Sequence, residues 1–152
     1  MSENLLRVQP IRNGTVIDHI KSGRGRKILE VLNLSKSGTT ISLLMNVPSK
    51  KQNRKDIIKV EDRELNEDEI EKLALLSPNA RINIIRNYAV AEKKKVEIPE
   101  IISGTVHCSN DNCISNNERS ATTQFKLLDS ENLRIQCIYC GRKIDEDEIS
   151  FL

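Results

Sequence analysis

The 152-residue chain reads as an α+β protein. A ferredoxin-like α/β sandwich, with two helices on one face of an antiparallel sheet, precedes a small all-β domain of zinc-ribbon type. Three observations predict this. Residues 1–100 alternate between period-two and helical apolar spacing; four cysteines in two short-range pairs occupy the last third; a proline-containing stretch with neither period separates the two parts.

Leu5 to Arg12 is strand-like, Asn13-Gly14 signals a hairpin turn, and Thr15 to Ile20 is a second extended run. After the Gly23-Arg24-Gly25 break, expected to be a flexible helix entrance, Ile28, Leu29, Val31 and Leu32 show the spacing of a helix packed on one face. Strand-like runs Ile41 to Val47 and Asp56 to Val60 flank a polar, basic stretch, Ser49 to Lys55, expected to be a mobile loop. The second helix has a full start signal: Asn66 as N-cap, Glu69 three residues on, and Leu65 with Ile70 as a hydrophobic staple. It should end near Ser77-Pro78 and bury Ile70, Leu73 and Ala74, with strands Arg81 to Ile85 and Tyr88 to Ala91 following around an Arg86-Asn87 turn. The helices cover one sheet face and leave the other for a ligand or partner. Lys93 to Glu100 serves as linker, so the domains divide as 1–100, with 92–100 as linker region, and 101–152.

In the second domain Phe125 and Leu127 alternate with polar neighbours, Ser130 to Asn132 turns the chain, and Leu133, Ile135 and Cys137 alternate again. Cys108, Cys113, Cys137 and Cys140 are spaced C-x4-C and C-x2-C, two turns that together supply the four tetrahedral thiolates of a zinc site. A closed all-sulfur shell leaves no position for water, so the one Zn2+ is expected to be structural. The competing reading is two disulfides. No apolar leader precedes Leu5 and no stretch reaches membrane-spanning length, which sets the expectation of a reducing, cytoplasmic compartment and favours metal. With four thiols available, His107 is expected to be a bystander. A domain of about fifty residues buries too little apolar surface to fold alone, so metal binding and folding should be one event.

The net charge is +2, but residues 1–100 carry 19 basic against 14 acidic side chains and residues 101–152 carry 5 against 8. An acidic ribbon argues against docking on nucleic acid phosphate and for a protein partner. A zinc-ribbon-containing RNA-binding module would show stacking aromatics and a basic ribbon, and the chain has only two Tyr and two Phe. An enzyme would need a convergent acid, base or nucleophile. Asp18-His19 is the most suggestive pair, yet adjacent strand residues point to opposite faces and are not expected to form an orienting dyad. The Gly23-Arg24-Gly25 break lacks the spacing of a phosphate-binding P-loop. Lys59 ends one strand-like run and Lys93 lies just beyond the last, where both could reach the open sheet face and hold a polyphosphate.

Gly14 to Ile20 (GTVIDHI), Arg54 to Lys59 (RKDIIK), Asn83 with Asn87-Tyr88, Cys108-x4-Cys113-Ile-Ser and Cys137-x2-Cys140 occur in order and together resemble the regulatory chain of aspartate carbamoyltransferase, from about residue 5 to the C-terminus. The resemblance implies a non-catalytic subunit in pyrimidine nucleotide biosynthesis. Its first domain would bind CTP, ATP and UTP and pair with a second copy of itself; its zinc domain would dock on the catalytic chain, with no role for nucleic acid or membrane. It further implies that Asp18 and His19 contact ribose and phosphate, that Lys59 and Lys93 hold ribose and phosphates, and that Asn83 belongs to the same site. The base would lie against Val8, Gln9, Pro10 and Ile11, with Val16, Ile85, Tyr88 and Val90 completing its pocket. Gln9 and Pro10 stand where better-known members have Glu and Ala, and Pro10 has no N–H to donate, a difference that bears on base preference.

Overall fold

The computed structural model describes residues 10–50 and 53–152. The first domain comprises β1 (Gly14–Lys21), α1 (Gly25–Val31), a 3₁₀ turn (Leu34–Lys36), β2 (Ile41–Ser49), β3 (Asn53–Glu61), α2 (Glu67–Leu76), β4 (Arg81–Arg86) and β5 (Ala89–Lys95). The strands form one sheet in the order β2-β3-β1-β4-β5, every neighbouring pair antiparallel. The first four have the ferredoxin-like arrangement, and β5 is added at the edge by a hairpin. Ile17, Ile20, Ile58, Val60, Ile82 and Ile84 on one sheet face pack against Ile28 and Leu32 of α1 and Leu73, Ala74 and Leu76 of α2. Among the described residues no helix covers the opposite face.

Helix α2 forms as its sequence dictates. Asn66 Oδ1 accepts from the Glu69 N–H at 2.9 Å, and Glu69 Oε1 accepts from the Asn66 N–H at 3.0 Å. Gly14 starts β1 at φ +140°, where a Cβ would lie 2.0 Å from the Val60 carbonyl oxygen, so only glycine lets the strand enter the sheet there.

Several sequence expectations are corrected. The expected strand Leu5 to Arg12 lies largely outside the described residues, and Pro10 to Arg12 are not in a strand. The expected mobile loop 49–55 is mostly strand, since β2 continues to Ser49 and β3 starts at Asn53 with Ser49 and Asn53 paired. The β4–β5 turn is Asn87-Tyr88, both at positive φ, one residue later than expected. That pair of left-handed residues makes the tight turn that matches strand twist. The linker is shorter than expected: Lys93 to Lys95 belong to β5, and Val96 is already buried in the core.

The second domain contains β6 (Ile101–Ser103), β7 (Val106–His107), a short α3 (Ile114–Asn117), β8 (Gln124–Asp129), β9 (Arg134–Cys137), β10 (Lys143–Asp145), a 3₁₀ turn (Glu146–Glu148) and β11 (Ser150–Phe151). Its sheets run β10-β9-β8-β6 and β11-β7. Phe125, Leu133, Ile135 and Cys137 are buried as their alternation predicts. The cluster they form also takes in Leu75 from α2, while Ile98 and Phe151 touch both cores. Arg24 pairs with Glu146 and Asp147 at 3.1 Å each, and Lys21 with Glu146 at 3.3 Å, so ionic contacts frame this apolar seam. No helix among the described residues is long and apolar enough to cross a membrane.

Candidate metal centre and ligand-binding face

The Sγ atoms of Cys108, Cys113, Cys137 and Cys140 all lie within 4.8 Å of one another. Cys108 to Cys140 and Cys113 to Cys137 are both 3.7 Å. A tetrahedral ion with zinc–sulfur bonds of about 2.3 Å requires sulfur–sulfur edges of about 3.8 Å, so the quartet fits one zinc ion, whereas a disulfide would need about 2.05 Å. Local chemistry builds each arm. Asn116 Nδ2 donates to the Cys108 and Asn110 carbonyls and Asn117 Nδ2 to the Asp111 and Cys113 carbonyls, locking the first turn. The Gly141 N–H donates to the Cys137 carbonyl at 2.9 Å and closes the second. His107 sits in β7 opposite Ser150, outside the quartet.

Burial pushes the Cys108 thiol up to about 12 and raises that of Cys137, with neighbouring thiols adding to both. Burial opposes ionisation of Cys140 as well, but N–H donation from Arg142 and contacts with Asn110 and the other thiols outweigh it and bring Cys140 down to about 7. Four sulfurs this close in an apolar setting cannot all carry charge unless a cation sits among them. A divalent ion bound here holds four thiolates and has no open position, which makes it structural.

On the open face of the first domain, direct cross-strand partners project side by side. The register lines up three rows. The first joins Gly14, Ile85 and Val90, the second Lys59, Val16, Asn83 and Lys93, and the third Asp18, Arg81 and Lys95. Along β1, β4 and β5 the face therefore grades from apolar, through mixed, to charged. Ile85 is buried and Val90 half exposed. Asp18, His19, Asn83 and Lys93 meet in a cleft of about 420 Å³ that Arg81 and Lys95 also line. Lys59 is held in the middle row by its register opposite Val16. Ile11 is buried, and Tyr88, at 69% exposure in the turn, anchors that turn through its N–H to the Arg12 carbonyl. Val8 and Gln9 lie outside the described residues.

The Asp18-His19 geometry corrects the expectation of opposite faces. The register slips between Ile17 and Ile20, and His19 takes φ +56°. This bulge lets Asp18 Oδ1 accept from the His19 N–H at 2.7 Å and brings Oδ2 within 4.0 Å of Nε2. Burial by itself would raise the Asp18 carboxyl, but the Lys55 ammonium at 2.9 Å and the His19 N–H hold it below its ordinary range. Lys55, Arg81 and Lys95 are members of this face that the sequence reading missed. Period-two spacing back from Lys59 would have placed Lys55 there, and the same count back from Asn83 finds Arg81. The Gly23-Arg24-Gly25 break is likewise not a flexible entrance, because Asp56 Oδ2 accepts from the Gly23 and Gly25 N–H groups at 3.0 and 2.9 Å.

Comparison with known proteins agrees with both halves. A family model described as the aspartate carbamoyltransferase regulatory chain, allosteric domain, matches residues 6–97, and one described as the metal binding domain of the same chain matches residues 100–150. The aspartate carbamoyltransferase regulatory chain of Pyrococcus abyssi is 52% identical over 146 residues, 95% of each chain. Those of Pyrococcus furiosus and Methanothrix thermoacetophila are 49% identical over 146 residues and 46% identical over 153 residues, the latter covering 100% of this chain and 99% of the relative. The graded sheet face, the tetrathiolate centre and these matches over nearly the full length converge: this chain belongs to the aspartate carbamoyltransferase regulatory chains, the non-catalytic subunits of that enzyme, with an allosteric domain and a metal-binding domain.

Proposed function

We propose that the open sheet face binds the nucleotide effectors CTP, ATP and UTP, and that the metal-binding domain carries their effect to a catalytic chain in the cytoplasm, two regulatory chains pairing through their first domains. The observation that carries this reading is the polarity gradient across three side-chain rows. A nucleoside triphosphate has the same gradient, from base to sugar to phosphates. Ile85, Val90 and Val16 suit the base; Asn83, Asp18 and Lys59 suit the sugar; Lys93 and His19 suit the phosphates. No catalytic chemistry is required of these groups. An effector acts only through unequal affinity for two states of the assembly, typically worth about 1–3 kcal/mol.

Docking is supported at the metal centre. Ile114, Ile138 and Tyr139, immediately beside the zinc-binding cysteines, are 53%, 49% and 43% exposed, an apolar patch on the acidic domain. Zinc shapes that patch by holding the two cysteine turns together.

Titration of the full chain with ATP and CTP tests the effector reading. Lys93→Ala and Lys59→Ala should each weaken binding about tenfold, the usual scale for one lost charge-assisted contact. Unchanged affinity in both variants would remove this face as the nucleotide site. Mixing the chain with catalytic subunit should give a complex whose carbamoyl transfer responds to nucleotide; no association and no response would sink the assembly reading.

A further inference from the structure

We propose that Arg81 is a specificity-determining residue of the sheet face, reading the outermost phosphate of a nucleoside triphosphate and so setting a preference for three phosphates over two or one. The inference rests on the effector reading above and adds a residue and a selectivity to it. Arg81 stands directly opposite Asp18 on β1 and Lys95 on β5, in the row farthest from the apolar end. It lies two residues along β4 from Asn83, roughly 7 Å beyond the middle row. Its guanidinium has no ion-pair or side-chain hydrogen-bond partner among the described residues, although Asp18 is its cross-strand neighbour. That carboxylate is engaged instead by Lys55 at 2.9 Å and by the His19 N–H at 2.7 Å.

Three cations, Arg81, Lys93 and Lys95, thus share one face and line one cleft with no anion among the described residues paired to them. Like charges so arranged repel unless a multivalent anion sits among them. Arg81 and Lys95 also line, with His19, an adjoining cleft of about 360 Å³, so the cationic surface continues past the site of the inner phosphates toward the domain seam. A planar guanidinium presents paired donors that match two oxygens of one phosphate, which a lysine ammonium cannot do. The middle row can hold a ribose and inner phosphate without Arg81. Only a longer chain reaches it.

The test is a comparison of ATP, ADP and AMP binding to the full chain at fixed ionic strength, for wild type, Arg81→Ala, Arg81→Lys and Lys93→Ala. Arg81→Ala should weaken ATP about tenfold or more and leave AMP unchanged, bringing the ATP and ADP affinities together. Arg81→Lys should recover only part of the discrimination, because charge is kept and the paired donors are lost. Lys93→Ala should weaken ATP and ADP alike. Equal weakening of all three nucleotides by Arg81→Ala, or none, overturns the inference and leaves the effector reading standing. Failure of any nucleotide to bind wild type overturns both.

Discussion

Asp18 is the residue on which the sheet face turns. Its backbone neighbour His19 is forced into the left-handed region by the bulge, and the carboxylate repays that conformation by accepting the His19 N–H while pairing with Lys55, whose side chain is only 16% exposed. Burial alone would raise the pKa of Asp18, but these contacts hold it below the ordinary 3.8 in the folded chain. The linkage has a definite sign. A group depressed on folding stabilises the fold above its unfolded value, and that contribution is lost as pH falls through the folded value. Asp18→Asn should therefore be less stable than wild type at neutral pH, with the gap closing below about pH 4. Urea unfolding of both proteins across this range checks it, and a gap that persists at low pH would mean that packing, not charge, is what Asn disturbs.

At the scale of elements, the β1–α1 connection shows how a buried polar group fixes chain direction. Asp56, fully buried in β3, accepts from the Gly23 and Gly25 N–H groups and, through Oδ1, from the Asn46 N–H at 2.9 Å. One carboxylate thus ties the start of α1 and the bulge of β2 to the central sheet. Gly25 must stay small, because a Cβ there would meet Leu43 Cδ1 at 2.7 Å and Asp56 Oδ2 at 3.0 Å. Asp56→Ala leaves three amides without their acceptor and should cost about 3 kcal/mol or more, seen as a lower urea midpoint at unchanged slope. The contrast with α2 explains what was legible in the sequence. The Asn66/Glu69 box is local, four residues long, and reads directly. The clamp at Gly23 and Gly25 joins residues more than thirty apart, and the Asp18-His19 bulge replaces the period-two rule that reading depended on. Tyr88 in a left-handed turn position was missed for a different reason, since propensity alone favours Asn or Gly there. Of the candidate site, the cysteines were visible from their spacing and Lys59 and Lys93 from their places at strand ends, whereas Asn83 entered only through the family resemblance. Lys55 and Arg81 were within reach of a period-two count along their strands, whereas Lys95 joins the face through its register opposite Arg81.

At the scale of the whole molecule, the two domains meet along a shared apolar seam. Sequence divides them at about residue 100, yet Leu75 of α2 is 1% exposed within the metal domain's core, and the partly buried Ile98 and Phe151 pack against both clusters. Arg24 and Glu146, 19% and 23% exposed, pair at the rim where screening is reduced. The β1 and β4 core beneath the open sheet face, Ile17, Ile82 and Ile84, lies wholly in the other cluster. Removing zinc should therefore unfold the metal domain, uncover Leu75 and lower the melting temperature of the first domain, while ATP affinity stays within a few-fold of its starting value. Association with catalytic subunit should disappear at the same time, because the patch around Ile114, Ile138 and Tyr139 exists only while the two cysteine turns are joined. Circular dichroism, ATP titration and mixing with catalytic subunit before and after chelation measure all three. Loss of ATP binding along with zinc would mean that the shared seam, and not the sheet's own core, holds the open face in shape.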